Sequence, residues 1–376
     1  MRPWMRMLTL LSATLFVAAC SDGNNNNNNR DPEFDFATLD AAMQAFIDNH
    51  GVFDGISITL VDRELGTVHE AAFGDHTLDI VVQLASTSKV PSVTLLMALD
   101  GDDSLDYDVE ATIDNYLPWD GVYGDRTSVH LVSNTSGIPG LGGIPNYGNH
   151  VCQFSGFVTL QECAETLYTE LVPGTVPPGT IFDYGGTQWQ LAGAVAEHVN
   201  NSTWNQAFDE YIGEPCDLDV FTYGNMWLNL QDWTGSPDSL TGQQNAHVEG
   251  GAITNMQDYA KLLLLHLREG QCGDNQVLTP AAVEFMQVDR AGPLGGPGYG
   301  MGWWIQEGDA ENNEILYDPG AFGAISWMDV ERGIGGYVGI DDYTRVAASD
   351  VYELVLGTIV ALQQEAVDAA REAAAN

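Results

Sequence analysis

The stretch LASTSKV at residues 84–90 sets Ser86 and Lys89 three positions apart, in a chain whose one other lysine is Lys261. On a helix that spacing puts both side chains on the same face. A serine hydroxyl is a weak nucleophile until a neighbouring base takes its proton, and a lysine can do so if burial lowers its pKa. The pair therefore suggests acyl transfer, with Ser86 attacking a carbonyl and a helix N-terminus favouring the negative charge that develops beside it. The alternative is an ordinary solvated helix start, but Leu84 before the pair and VTLLMAL after it mark this turn as buried. Pro91 has no N–H to give and is expected to kink or delay the helix.

The rest of the chain must position that pair. Its 376 residues, 44% apolar and 17% charged, suffice for a substantial core in one large domain or two. Twelve basic against 53 acidic residues give a net charge of −41. Such a surface repels nucleic acid and anionic ligands, and suits salty surroundings that screen its self-repulsion. Attraction of cationic ligands is the sharper reading of the same charge.

Residues 1–20, MRPWMRMLTLLSATLFVAAC, combine a basic start with an apolar run from Met7 to Ala19. That run is too short for a permanent membrane span and suits a signal peptide. VAAC resembles the lipobox of bacterial lipoproteins, which makes Cys20 the expected lipidation site. Ser21 after it resembles outer-membrane sorting, with the periplasmic or the surface face left open. An ordinary cleaved signal that discards Cys20 is the alternative. The Asn-rich stretch 21–34 then reads as a flexible tether.

Cys152, Cys163, Cys216 and Cys272 remain, an even number that fits an oxidising compartment. Of the three possible pairings, Cys152 with Cys163 and Cys216 with Cys272 is favoured, because the first closes a short local loop. No Cys/His spacing suggests a metal, and no cofactor is expected.

Periodicity predicts a helix with Leu39, Met43, Phe46 and Ile47 on one face, capped at Gly51. Strand-like runs follow at 56–62 and 67–74, joined by a turn over 63–66. From about 90 to 249 the pattern is helical, broken by Gly/Pro-rich loops at 137–149 and 172–180. Strand character returns at 299–306, 324–330 and 335–341, followed by a last helix over 349–375 whose apolar face is Val351, Leu354, Val355, Ile359 and Leu362. The expected fold is α/β of the α+β kind. One antiparallel sheet is formed by both chain ends (about 35–85 and 250–376) and flanked by helices, around a large, mainly helical insertion.

Five segments, in order, resemble the serine β-lactamase and penicillin-binding-protein superfamily, in its class C β-lactamase and esterase branch. SxxK is its first motif. SVHLVSNTSGIP at 128–139 is similar to LLxHTSGLP, with Asn134 where histidine is usual. PPGTIFDYGGTQWQLAG at 177–193 is similar to PGxxFxYSNxxYxLLG, EGGAITNMQDYAKLL at 249–263 to GGLxSTAxDLARF, and GYGMGWW at 298–304 to the YGLGW strand. The resemblance implies that Tyr184 joins Lys89 in activating Ser86. It also implies an oxyanion hole from the backbone N–H groups of Ser86 and Ala321.

Two departures bear on substrate. Gly186 stands where the family's Y-x-N motif carries asparagine, so an amide that orients substrate or the lysine is missing. Asp318-Pro319-Gly320 stands where the family carries Lys-Thr-Gly or His-x-Gly, and no lysine follows Lys261 and no histidine His266. An acid there would raise the pKa of Lys89 and repel the carboxylate of β-lactams and D-alanyl peptides. Gly186, Asp318, Gly320 and Trp304 are thus expected to shape substrate binding. Trp227, Trp233, Trp303 and Trp327 also flank the site, as packing or as an apolar acyl pocket. His130 is expected to be structural.

The leading expectation is a serine hydrolase that cleaves a small-molecule ester, or an amide, through a Ser86 acyl-enzyme, with the membrane reached through the lipid anchor and no nucleic acid or metal partner. A β-lactamase or D-alanyl-D-alanine carboxypeptidase keeps the same chemistry. A non-catalytic, lipid-anchored binding protein is the reading of a different class.

Overall fold

A computed structural model describes residues 36–50, 54–141, 148–308, 313–342 and 361–375. The leader, Cys20, the tether and Gly51 lie outside them, as do the middle of the 137–149 loop and most of the apolar face expected for the last helix. Among the described residues no helix is long and apolar enough to cross a membrane.

Helix α1 (Ala37–His50) buries Leu39, Met43 and Phe46, the stripe expected from its spacing. Strands β1 (Gly55–Asp62) and β2 (Gly66–Gly74) follow as a hairpin, and a short β3 (Val82–Gln83) leads into a 3-10 turn over Ala85–Ser88. Helix α2 (Lys89–Asp100) continues from that turn without interruption. Pro91 is its third residue, and the carbonyl four positions back that it leaves without a main-chain donor, Thr87 O, belongs to the 3-10 turn, so the proline falls at the helix start and delays the helix behind that turn.

The middle of the chain holds α3 (Ser128–Val132), α4 (Leu160–Thr169), α5 (Thr187–Asn200) and α6 (Trp204–Phe208). Threonine caps open three of them: Thr127, Thr159 and Thr203 each accept from the third residue of the helix that follows. His130 completes the first of these boxes through Nδ1 and is structural, as expected. A small sheet joins β3 to β5 (Ala252–Thr254) and β5 to β4 (Thr222–Tyr223), fastening this helical part to the start of the 3-10 turn.

Helix α7 (Met256–Leu267) precedes a two-stranded ribbon, β6 (Gln271–Cys272) and β7 (Asn275–Gln276), and then α8 (Pro280–Gln287). Strands β8 (Trp304–Gln306), β9 (Ile315–Pro319), β10 (Ile325–Asp329) and β11 (Ile334–Gly339) complete the main sheet, and α9 (Ala361–Ala375) ends the described chain. The strand expected over 299–306 is shorter than its sequence suggested, because Gly302 at φ +85° breaks the extended run before Trp304.

The six-stranded sheet has the order β2-β1-β11-β10-β9-β8, and its central antiparallel pair joins the two ends of the chain. Strands β1, β10 and β11 alternate between two cores. Ile56, Ile58, Leu60, Ile325, Trp327 and Val338 face α1 and α9, whereas Val61, Met328 and Tyr337 face α7 and the helical part. Both disulfides have the favoured pairing, Cys152–Cys163 and Cys216–Cys272.

Candidate active site

Ser86 lies in the 3-10 turn between β3 and α2, with Lys89 as the first residue of the helix. Its neighbour Ala85 adopts φ +46°, a left-handed conformation that alanine takes only when the surroundings impose it. Those surroundings are the β9–β10 turn. A Cβ on Gly320 would meet Leu84 O at 2.0 Å, so only glycine permits this approach. Thr87 Oγ1 lies 3.0 Å from Asp318 O and 2.9 Å from Ala324 O and fastens the same turn from below. Ala321 is exposed at the tip beside Gly320, and Ser86 is half-buried among buried neighbours, open on one side.

Lys89 is fully buried. Its Nζ donates to Ser86 Oγ at 3.1 Å and to Glu249 O at 3.0 Å, pairs with Glu249 Oε2 at 3.3 Å, and stands 4.6 Å from the centre of the Tyr184 ring. The Tyr184 hydroxyl is close enough to Ser86 and Lys89 to interact with both. Burial works to strip the proton from Lys89, but the fields of Tyr184, Glu249 and Asp318 outweigh it and move the pKa up. The resting lysine is therefore an ammonium: the condition that burial lower its pKa is not met, and the upward shift expected from an acid at position 318 is in the observed direction. Burial raises the phenol of Tyr184 more than Lys89 lowers it, so it too keeps its proton.

Tyr184 comes from the loop before α5, and Asn134 positions that loop. Where the resembled family has histidine, Asn134 adopts φ +57°. Its Oδ1 accepts from Gly185 N at 2.9 Å, Gln188 Nε2 at 3.0 Å and Trp189 Nε1 at 2.9 Å. Phe182, Tyr299 and Trp304 pack around the Tyr184 ring, with Trp304 at 5.1 Å and half-exposed. On the opposite side Trp227 packs on Phe322 at 5.2 Å and donates to His247 Nδ1 at 3.0 Å. Trp303 and Trp327 are wholly buried, and Trp327 donates to Gln363 of α9 on the far face of the sheet, so these two serve the core. Trp233 is bonded to Asp341.

Asp318 is near the site but is not exposed to a ligand. Its side chain is fully buried, and Oδ2 accepts from Val90 N at 3.2 Å in the first turn of α2. Burial pushes its pKa well above the carboxylate range, an effect that the nearby Lys89 and the main-chain N–H of Val90 only partly offset. The expected repulsion of substrate carboxylates by a charged Asp318 is thus replaced by the plain absence of the family's cation at this position.

Glu249 is the residue that sequence reasoning passed over. Both oxygens accept from Gly186 N, at 3.0 and 3.1 Å, and the carboxylate faces Lys89. The available signal was an acid immediately before the Gly-Gly of a motif-like segment, two residues after His247. Among the described residues no cluster of His, Cys, Asp and Glu could hold a metal.

A serine with a lysine on its hydroxyl and a tyrosine beside that lysine, where an antiparallel sheet meets a helical lobe, defines a member of the serine hydrolase superfamily with the β-lactamase and transpeptidase fold. The Beta-lactamase family model matches residues 39–349, and the chain belongs to that family. It is 24% identical over 363 residues to "Penicillin-binding protein 4" of Amycolatopsis lactamdurans, spanning 89% of this chain and 93% of that one. A putative β-lactamase from Bacteroides dorei superposes with a TM-score of 0.69 at 23% identity, over 88% of this chain and 100% of its own. EstCE1, "a hydrolase with promiscuous acyltransferase activity", gives 0.69 at 19% identity, over 86% and 98%.

Proposed function

We propose that the protein hydrolyses esters through an acyl-enzyme on Ser86, with Tyr184 and Lys89 as its proton-transfer system. The observation that carries this reading is the intact cluster around a half-exposed Ser86, combined with a third motif that has no cation. Ser86 Oγ attacks the ester carbonyl and passes its proton to Tyr184 Oη, while the proton of Tyr184 moves to the leaving alkoxide. The Lys89 ammonium stabilises the phenolate character that arises between the two transfers. The N–H groups of Ser86 and Ala321 would hold the oxyanion. Water then attacks the acyl carbon, and the same groups carry its proton back to Ser86.

Without Lys or His at position 318, a substrate carboxylate has no counter-ion from that motif, which favours neutral esters over β-lactams and D-alanyl peptides. The ester reading also draws support from the likeness to EstCE1. The β-lactamase and carboxypeptidase alternatives keep the Ser86 chemistry and draw on the likeness to the Amycolatopsis protein. A non-catalytic role is disfavoured by the complete Ser86, Lys89 and Tyr184 set.

The test is a panel of p-nitrophenyl esters of graded chain length beside nitrocefin, with fluorophosphonate labelling of wild type, Ser86→Ala and Tyr184→Phe. Ester turnover should exceed nitrocefin turnover, Ser86→Ala should not label, and Tyr184→Phe should lose about 10²–10⁴ in rate. Efficient nitrocefin hydrolysis with slow esters would reverse the ranking, and equal labelling of Ser86→Ala would refute the enzyme.

A further inference from the structure

The Glu249 carboxylate reaches two parts of the site at once. One is Lys89 Nζ, at 3.3 Å from Oε2, with the carbonyl of the same residue taking a second N–H at 3.0 Å. The other is the glycine pair behind Tyr184, where Gly186 N is bonded to both carboxylate oxygens and a Cβ on Gly185 would come within 2.9 Å of Oε2. Gly186 has φ +85° and ψ −157°, a conformation essentially closed to asparagine. The amide missing from position 186 could not be placed there on this backbone, and the neighbouring space is filled by a carboxylate from a different segment.

The side chains of Glu249 and Lys89 are 4% and 1% exposed, so the pair is shielded from water and salt. Three other titratable groups face Lys89: Tyr184, Asp318 and His247. Burial raises the pKa of both Tyr184 and Asp318. Burial and the Lys89 charge push the imidazole of His247 down to about 3, so it is neutral. With Nδ1 accepting from Trp227, its Nε2 carries the proton and is directed at Glu249 Oε1 from 3.6 Å. Of the groups around Lys89, the Glu249 carboxylate is the one paired with its Nζ, at 3.3 Å.

We propose that Glu249 is the positioning residue of this site: it holds Lys89 as an ammonium aimed at Ser86 and ties the Tyr184 loop to that lysine. The inference rests on the serine-hydrolase reading for its meaning, but its central measurement needs no substrate.

Because Lys89 and Lys261 are the only lysines, the full chain labelled with [13Cε]lysine should show two resolved signals, which Lys261→Arg assigns. Lys89 should titrate above Lys261 in the wild type, and its midpoint should fall by at least one pH unit in Glu249→Gln. Fluorophosphonate labelling of Glu249→Gln should be at least tenfold slower at neutral pH, with its alkaline limb displaced to lower pH. A wild-type Lys89 titrating below Lys261 would overturn the proposal even if the variant failed to fold. So would an unmoved midpoint or faster labelling in Glu249→Gln. Failure of ester turnover, with the lysine titration as expected, would count against the substrate class alone.

Discussion

The hydroxyl of Tyr259 donates to the carbonyl of Thr87 at 3.1 Å, the very oxygen that Pro91 cannot satisfy because it has no N–H. The same hydroxyl lies 3.0 Å from Ser326 Oγ on β10, so one phenol links α7, the sheet and the turn that carries Ser86. A proline in the first turn of α2 is tolerated because a tyrosine from another element supplies the missing donor.

Tyr259→Phe should therefore destabilise the protein by about 1–3 kcal/mol, the cost of a buried acceptor without a partner. It should also slow Ser86 labelling, since the orphaned carbonyl adjoins the nucleophile. Thermal melts beside labelling rates check this, and an unchanged melting temperature would show that Thr87 O finds another donor.

Asp318 sets a pH dependence whose sign is fixed by burial. Its folded pKa is raised, so the folded state holds a proton that the unfolded chain releases above about pH 3.9. The stabilisation is complete below that pH and declines as pH rises, by about 1.4 kcal/mol per unit until the folded group itself titrates. Asp318→Asn keeps an acceptor for Val90 N and removes the titration, so its stability should gain on the wild type from pH 4 toward neutrality. Denaturant melts across that range decide the matter, and parallel curves would sink the upward shift of Asp318.

The two disulfides should differ in value. Cys216–Cys272 spans 56 positions and Cys152–Cys163 spans 11. In the loop-entropy account the longer loop is worth about 1.4 kcal/mol more. Removing the cysteines pairwise by alanine and comparing chemical denaturation tests this ordering, and a larger loss from the short loop would point to packing instead.

Much of the architecture was legible because period-2 and period-3.6 patterns survive wherever one face is buried. The stripe Leu39, Met43 and Phe46 and the alternation Ile56, Ile58 and Leu60 are direct records of their surroundings. Ser86, Lys89 and Tyr184 were legible through motif spacing, and the structure brings them together. What could not be read were relations between distant segments. The importance of Glu249 depends on a lysine 160 positions earlier, and its own neighbours give no periodic signal. Asp318 looked like a ligand-facing charge because its motif position is ligand-facing in the resembled family, yet its carboxyl turns inward to Val90. Pro91 suggested a kinked or a delayed helix, and only the structure shows which: α2 begins at Lys89 behind a 3-10 turn.

The pairing of β1 with β11 sets a timetable for the newborn chain. Ser57 finds Gly339 across the ladder, a partner 282 residues away. At about 5–20 residues per second, the ribosome delivers that partner roughly a quarter of a minute to a minute later. Until then the N-terminal hairpin carries an open hydrogen-bonding edge along a wholly buried type of strand, the kind of surface that recruits chaperones or other unfinished chains. The turn that carries Ser86, held in place by β9 and β10, is accordingly among the last parts of the molecule to form, when nearly the whole polypeptide has been made.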